Sequence, residues 1–263
     1  MKITETASID ELYDVVKTLK LGYVDDLNPS TNTKKELLKL QQDLNKIMEE
    51  HSMDLKGWAL SGSDPDTSLS DKTFTMVGGW MWHSKEDEIQ LRIPDIYLGT
   101  KKKGAYSDKT KVLHKNPTED EITEFYKSET VNLDHIISRI SALFDMTGQS
   151  APICVLGHYV ARLALQDTEG DKSSSVSQTT RKLFIKFLFL TSQFGNFRFL
   201  RNPGIADFTK DSLILLAFAD SSSAAWMVVL LILRTSTKNK YYTQFLYACG
   251  GLNPPGRTIQ ETN

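Results

Sequence analysis

Cysteine is scarce in this sequence. Cys154 and Cys249 are the two in 263 residues, and they lie far apart. A disulfide framework of the kind that staples small secreted domains is excluded, and the pair reads as reduced, buried thiols of an intracellular protein, cytoplasmic or nuclear. The five histidines (His51, His83, His114, His135, His158) show neither HxxxH nor Cys/His spacing, which argues against a zinc centre. Long apolar runs are missing too. The run AAWMVVLLILR holds ten apolar residues before Arg234, about half of the ~20 that a spanning helix needs, so no membrane partner is expected. The start, MKITETASIDELYD, is acidic and periodic and is no signal peptide. Neither sign of charge dominates. A net charge of −2 supplies no overall basic field for nucleic acid, although a neutral protein can still carry a basic groove. No period of 20–50 residues recurs, so a repeat array is excluded.

What is present is an ordinary globular composition, 40% hydrophobic and 24% charged. The length suffices for one large domain or two small ones. Ile9, Leu12, Tyr13, Val16 and Leu19 have helical spacing, and LGYVDDL then reads as strand, turn, strand, cut short by Pro29. STNTKKELLKLQQDLNKIMEEHSM is an amphipathic helix, capped by Ser30, Thr31 or Thr33, with Leu37, Leu40, Leu44, Ile47 and Met48 on one face. MDLKGWALSG and FTMVGGWMWHSKEDEIQLRI read as short strands, the second a hairpin around Lys85–Asp87. Residues 99–130 are polar, with lysines at 101–103, and PTEDEITEFY starts a helix. Two helices broken at Gly148 and Pro152 follow, then a flexible connection, DTEGDKSSSVSQTT, and a short helix, RKLFIKFLFLTSQF. From residue 212 the pattern becomes three antiparallel strands with an unfinished core.

The stretch LGYVDDLN poses a chemical question. Asp25 and Asp26 are like charges in a turn behind Tyr23 and Val24. Aspartate is a favoured turn residue, and that is the plainer explanation. Alternatively, a divalent ion removes the like-charge penalty. Two such ions about 4 Å apart activate a sugar hydroxyl and stabilise departing pyrophosphate, and magnesium favours open carboxylate sites of this kind.

The YVDD tetrad resembles the palm metal motif of reverse transcriptases, and the rest of the chain resembles, more narrowly, the polyprotein of Bel/Pao-type LTR retrotransposons. MDLKGWALSG resembles that family's LxKWxSN, and VGGWMWHSKEDEIQL its LGxxWxxxxDxI. ISRISALFDMTGQSAPI resembles LSxIAxxFDPLGLxAP, the most specific block. LLAFADSSSAAWMVVLLILR resembles LHxFxDASxxAYxAVxYxR, and GLNPPGRTIQETN resembles the xTIPxxEL tail. The blocks occur in the family's order over nearly the whole chain.

The resemblance implies an α+β chain in three parts. Residues 1–100 would be the end of a palm, 101–210 a helical thumb or connection, and 211–263 an incomplete ribonuclease H-like meander. It makes Asp25 and Asp26 metal-binding palm carboxylates with Mg2+ or Mn2+, and Tyr23 and Val24 part of the substrate site. Lys56 would be a general acid toward pyrophosphate, or else a solvated strand-end lysine. Gly79 and Trp80 would lie in a primer-grip hairpin that touches substrate, or Trp80 would simply be core. Asp220 would be the first metal ligand of the ribonuclease H-like part, or else a turn aspartate. The implied partners are an RNA or DNA template–primer, with other parts of the polyprotein or a second chain. Only 24 residues precede Asp25, and they read as one helix. The third palm carboxylate, which the family carries on an upstream strand, thus has no counterpart. RNA-directed DNA polymerase activity is accordingly expected to be weak or absent. The rival expectation is a non-catalytic remnant that binds nucleic acid or protein, for which the lysines at 101–103 suit phosphate contacts.

Overall fold

Among the described residues, Thr33 starts the first helix. Its hydroxyl accepts the Glu36 N–H while the Glu36 carboxylate accepts the Thr33 N–H, a reciprocal capping box. The helix runs over Lys34–Glu50 (α1), and Leu40 and Leu44 are its buried residues. In the computed structural model the described residues are 27, 29–31, 33–66, 73–77, 79–98, 101–102, 105–106, 110–145, 147–201, 212–235 and 241–255. The helix expected at 9–20 and the strand–turn–strand around Asp25 and Asp26 lie outside them.

MDLKGWALSG does not form the expected strand. Its backbone bonds go elsewhere. The Trp58 N–H donates to the Asp66 carboxylate at 2.8 Å, the Asp66 N–H returns to the Trp58 carbonyl at 3.0 Å, and the Gly62 N–H reaches the Ser84 carbonyl at 2.8 Å. The Trp58 indole donates to Asn45 on α1 at 3.0 Å, and Leu55 and Trp58 pack on Leu40 and Leu44. Side-chain packing onto a helix thus replaces a ladder as the partner of this segment.

The expected hairpin is present. Thr75–Val77 (β1), Trp80–His83 (β2) and Glu88–Leu91 (β3) form an antiparallel series, joined by Arg198–Leu200 (β8) from far downstream. Four two-residue strands lie between β3 and the helices: Tyr97–Leu98 (β4), Lys101–Lys102 (β5), Ala105–Tyr106 (β6) and Lys111–Val112 (β7). They pair as β4 with β7 and β5 with β6.

Four helices build the main core. They are Glu119–Phe125 (α2), Leu133–Ser141 (α3), Ala151–Thr168 (α4) and Gln178–Phe194 (α5). Thr118 caps α2 with the same reciprocal box that starts α1, and the helix lies where PTEDEITEFY was expected to start one. Ile122, Tyr126, Leu133, Ile136, Val160 and Phe184 are fully or almost fully buried among them. Burial pushes the Tyr126 hydroxyl up to about 12. Pro152 does not break a helix. It occupies the first turn of α4, where its missing N–H leaves no partner unsatisfied. The serine-rich connection after α4 is also tied down. Asp171 accepts from Ser173 and Ser174, Asp167 accepts the Ser177 N–H at 2.8 Å, and Val176 bonds Val131. The helix beyond it is longer than expected, because Ser177 caps it well before Arg181.

The three expected strands follow as an antiparallel meander: Ser212–Ser221 (β9), Ala225–Thr235 (β10) and Tyr241–Leu252 (β11), in the order β11-β10-β9. The described chain is a mixture of helices and antiparallel sheets, an α+β fold.

One loop joins meander to helices. The Asp145 carboxylate accepts five hydrogen bonds between 2.6 and 3.1 Å, from the N–H and hydroxyl of Thr147, the N–H of Gly148, and the N–H and hydroxyl of Ser150. The loop so fixed presents the Thr147 carbonyl to the Ala248 N–H of β11 at 3.0 Å. Gly148 has φ +76°, and a Cβ there would sit 1.7 Å from the Ala248 carbonyl oxygen. Gly148→Ala is therefore expected to cost about 2–4 kcal/mol, since backbone strain and a backbone clash add. Gly170→Ala, at φ +85° with open space around it, should cost about 1 kcal/mol from strain alone. Urea midpoints followed by circular dichroism compare the two.

Candidate nucleic-acid cleft

A cleft of about 790 Å³ opens between the β1–β3 hairpin series and the helices. That volume is in the range of ordinary ligand sites. Phe74, Met76, Met81 and Phe144 supply apolar wall, and Arg92, His114, Lys115 and Asn116 lie at exposed positions along it. Arg139 lines it from α3 and is 8% exposed. Its guanidinium donates to the Tyr97 carbonyl at 2.8 Å and stacks 3.7 Å from the centre of the Tyr97 ring. The Arg139 Nε is buried without a hydrogen-bond partner.

The lining carries Arg92, Lys115 and Arg139 against one carboxylate, Asp95. His114 adds to this when protonated. The Lys115 carbonyl and the Glu121 carboxylate, which its ring nitrogens meet at 2.9 and 3.1 Å, raise its pKa above the ordinary value. The cleft is therefore a cationic surface on a chain of net charge −2. Phe144 is 55% exposed at its wall, a large ring offered to solvent beside cations.

The hairpin that forms one side is fastened at both ends. Gln90 of β3 accepts through Oε1 from the His83 ring at 2.9 Å and donates through Nε2 to the Gly195 carbonyl after α5 at 2.5 Å. At the β2–β3 turn, Asp87 accepts from Arg201 at 2.7 and 3.0 Å, from Ser61 at 2.8 Å and from the Trp82 indole at 3.1 Å. Burial alone would raise the Asp87 pKa, but these donors outweigh it and hold it below the ordinary value.

The residues singled out from sequence are placed as follows. Tyr23, Val24, Asp25 and Asp26 lie outside the described residues. Lys56 is exposed in the irregular segment after α1 and does not line the cleft. Gly79 turns the chain between β1 and β2 at φ +87° and meets the Phe144 ring, which lies 2.5 Å from where a Cβ would be. Trp80 is 4% exposed, and its indole N–H is buried without a partner. Asp220 stands exposed near the end of β9, where its carboxylate accepts the N–H of Ser221 at 2.9 Å. Among the described residues no three His, Cys, Asp or Glu side chains gather as a metal ligand set. Asp220 is the carboxylate on β9, and among the described residues no second carboxylate is grouped with it as a ligand for Mg2+ or Mn2+. Sequence reasoning missed Arg92, Lys115, Arg139 and Phe144. A signal existed for Arg139, a cation set in helical register with Ile136 and Ile140 on an otherwise apolar α3 face.

Residues 134–259 match the family model described as the Pao retrotransposon-like RNaseH-like domain. The match begins in α3, includes the Asp145 loop and α4, and extends past the end of β11. It supports a Pao/Bel retrotransposon protein with a ribonuclease H-like domain. No curated protein and no solved structure matches the chain. No helix among the described residues is long and apolar enough to cross a membrane.

Asp87 makes the hairpin clasp pH-dependent. Its folded pKa is depressed, so its stabilisation is present above the unfolded value of 3.8 and is lost as pH falls through the lower folded value. At pH 7, Asp87→Asn should cost about 1 kcal/mol. That is less than a buried charge-assisted pair gives, because Arg201 is 43% exposed and water screens it. Below about pH 4 the difference between the two proteins should shrink. Urea titrations at several pH values measure it.

Proposed function

We propose that this chain is a segment of a Pao/Bel-type retroelement polyprotein that holds template–primer nucleic acid in the cationic cleft. The observation that carries the reading is the lining: the exposed cations Arg92 and Lys115 against a single carboxylate, Asp95, with the exposed ring of Phe144 on the same cleft and Arg139 buried behind it. Cations beside phosphates release condensed counterions, which gives affinity without sequence preference. An exposed aromatic ring gives a base something to stack on. The match to a ribonuclease H-like domain of retroelements supports nucleic acid as the partner class.

Polymerisation is the finer reading. In it, Asp25 and Asp26 hold Mg2+ or Mn2+, which would assist transfer of a nucleotide from a deoxynucleoside triphosphate to a primer 3′-hydroxyl. Lys56 would protonate the departing pyrophosphate, and the hairpin with Gly79 and Trp80 would steady the primer. The resemblance of YVDD and the blocks after it supplies this reading. The non-catalytic reading is favoured for the described residues by the isolation of Asp220 from other ligands.

Fluorescence anisotropy with a labelled RNA–DNA template–primer tests the cleft. Arg92→Ala/Lys115→Ala should weaken binding and reduce the slope of log affinity against log salt by about two. Asp25→Asn/Asp26→Asn should leave binding unchanged. Primer extension with Mg2+ or Mn2+ tests the chemistry on the same proteins. Incorporation that disappears in the double aspartate variant supports the polymerase reading, and no incorporation in either protein leaves binding alone. Salt-insensitive binding, or binding unaffected by loss of Arg92 and Lys115, would refute the cleft.

A further inference from the structure

Arg139 is a buried cation without a counter-ion. Among the described residues no carboxylate is ion-paired with it, although it is nine-tenths buried. Its partners are neutral. The Asp95 carbonyl accepts at 3.4 Å and the Tyr97 carbonyl at 2.8 Å, while the Tyr97 ring covers one face of the guanidinium. Tyr126 and His135 stand on the core side. Burial pushes the Tyr126 hydroxyl up to about 12, so it stays protonated. Burial, and after it the charge of Arg139, lowers the His135 pKa, so the imidazole is neutral at pH 7.

A guanidinium carries five N–H bonds. The two carbonyls take two of them, the Tyr126 hydroxyl at most a third, and the buried Nε–H has no acceptor. Taking a cation out of water is strongly unfavourable unless an anion and a full set of hydrogen bonds come with it. The core side supplies no anion. The other side of Arg139 is the cleft, which it lines behind the exposed cations Arg92 and Lys115.

We propose that Arg139 is the seat of one backbone phosphate of the nucleic acid in the cleft. This rests on nucleic acid being the occupant of the cleft. Arg92 and Lys115 draw a strand in by a field with no preferred position. Arg139 fixes one phosphate in place. A guanidinium is planar and weakly hydrated, and it meets phosphate oxygens with paired N–H bonds. The seat is formed before the ligand arrives, because the Tyr97 ring and carbonyl hold the side chain and Ile136 and Ile140 root its helix in the core.

Thermal unfolding of the full chain in inorganic phosphate, against sodium chloride of equal ionic strength, reads the seat without nucleic acid. Phosphate should raise the melting temperature of the unaltered protein. It should not raise that of Arg139→Gln, whose neutral amide keeps a donor for the Tyr97 carbonyl. Anisotropy with the labelled template–primer then assigns the phosphate to the backbone: Arg139→Gln should reduce the slope of log affinity against log salt by about one. An equal phosphate effect in both proteins, no effect in either, or template–primer binding indifferent to Arg139→Gln would each overturn the proposal. The cleft itself stands or falls separately, by whether Arg92→Ala/Lys115→Ala weakens binding. If Arg139→Gln does not fold, nitrogen NMR of the arginine side chains in the unaltered protein decides. One exchange-protected Nε–H signal, missing from Arg139→Lys, should move as inorganic phosphate is added, and an unmoved signal overturns the seat.

Discussion

A single carboxylate holds the two halves of the helical and sheet structure in register. Asp145 accepts five hydrogen bonds from three residues, Thr147, Gly148 and Ser150, and the loop they define touches β11 at Ala248. An acceptor with two oxygens can take that many donors only if the backbone curls tightly around it. The curl requires a left-handed residue, and Gly148 supplies it at φ +76°. It also requires a residue without a side chain, because the Ala248 carbonyl fills the space. From this one contact follow the start of α4, the seating of β11 against that helix, and the position of Phe144 beside the cleft.

The cleft is a consequence of how the hairpin series is hung on the helices. Its strands are short, and three or four residues of ladder give little stability alone. Side chains fix it instead. Gln90 ties β3 to the end of α5, and the Asp87–Arg201 clasp closes the turn onto β8. Phe144 meets Gly79 on the same side. Cations from two separate places in the chain thereby come to one exposed surface, Arg92 after β3 and Lys115 before α2, with Arg139 of α3 buried behind them. A chain of nearly balanced charge acquires a local positive field this way.

Much of the architecture was legible from local patterns. A cap for α1 among Ser30, Thr31 and Thr33, its apolar stripe, the acidic start of α2, the hairpin turn at Lys85–Asp87 and the three strands of the meander all announce themselves within a few residues. The misses share a cause. MDLKGWALSG has the alternation of a strand, but Trp58 found a helix to pack on and the segment has no ladder. The serine-rich connection has the composition of a free loop, but Asp167 and Asp171 collect its N–H and hydroxyl groups. Pro152 reads as a breaker and is a helix start. In each case a partner distant in sequence, or a cap just outside the pattern, decided between two readings of the same residues.

The sequence by itself determined where most of the long helices and strands form, which faces are apolar, and the ordered blocks whose C-terminal part the retroelement ribonuclease H-like match covers. Those are properties of neighbours within a turn or two of backbone, and the code for them is local. Only the tertiary structure decided that Arg92, Lys115 and Phe144 share a cleft with Arg139 buried behind them, that Trp80 is enclosed, and that Asp220 has no other metal-ligating side chains grouped with it among the described residues. These depend on contacts between segments up to about a hundred residues apart, and pairings that distant are selected by packing and not by any local pattern.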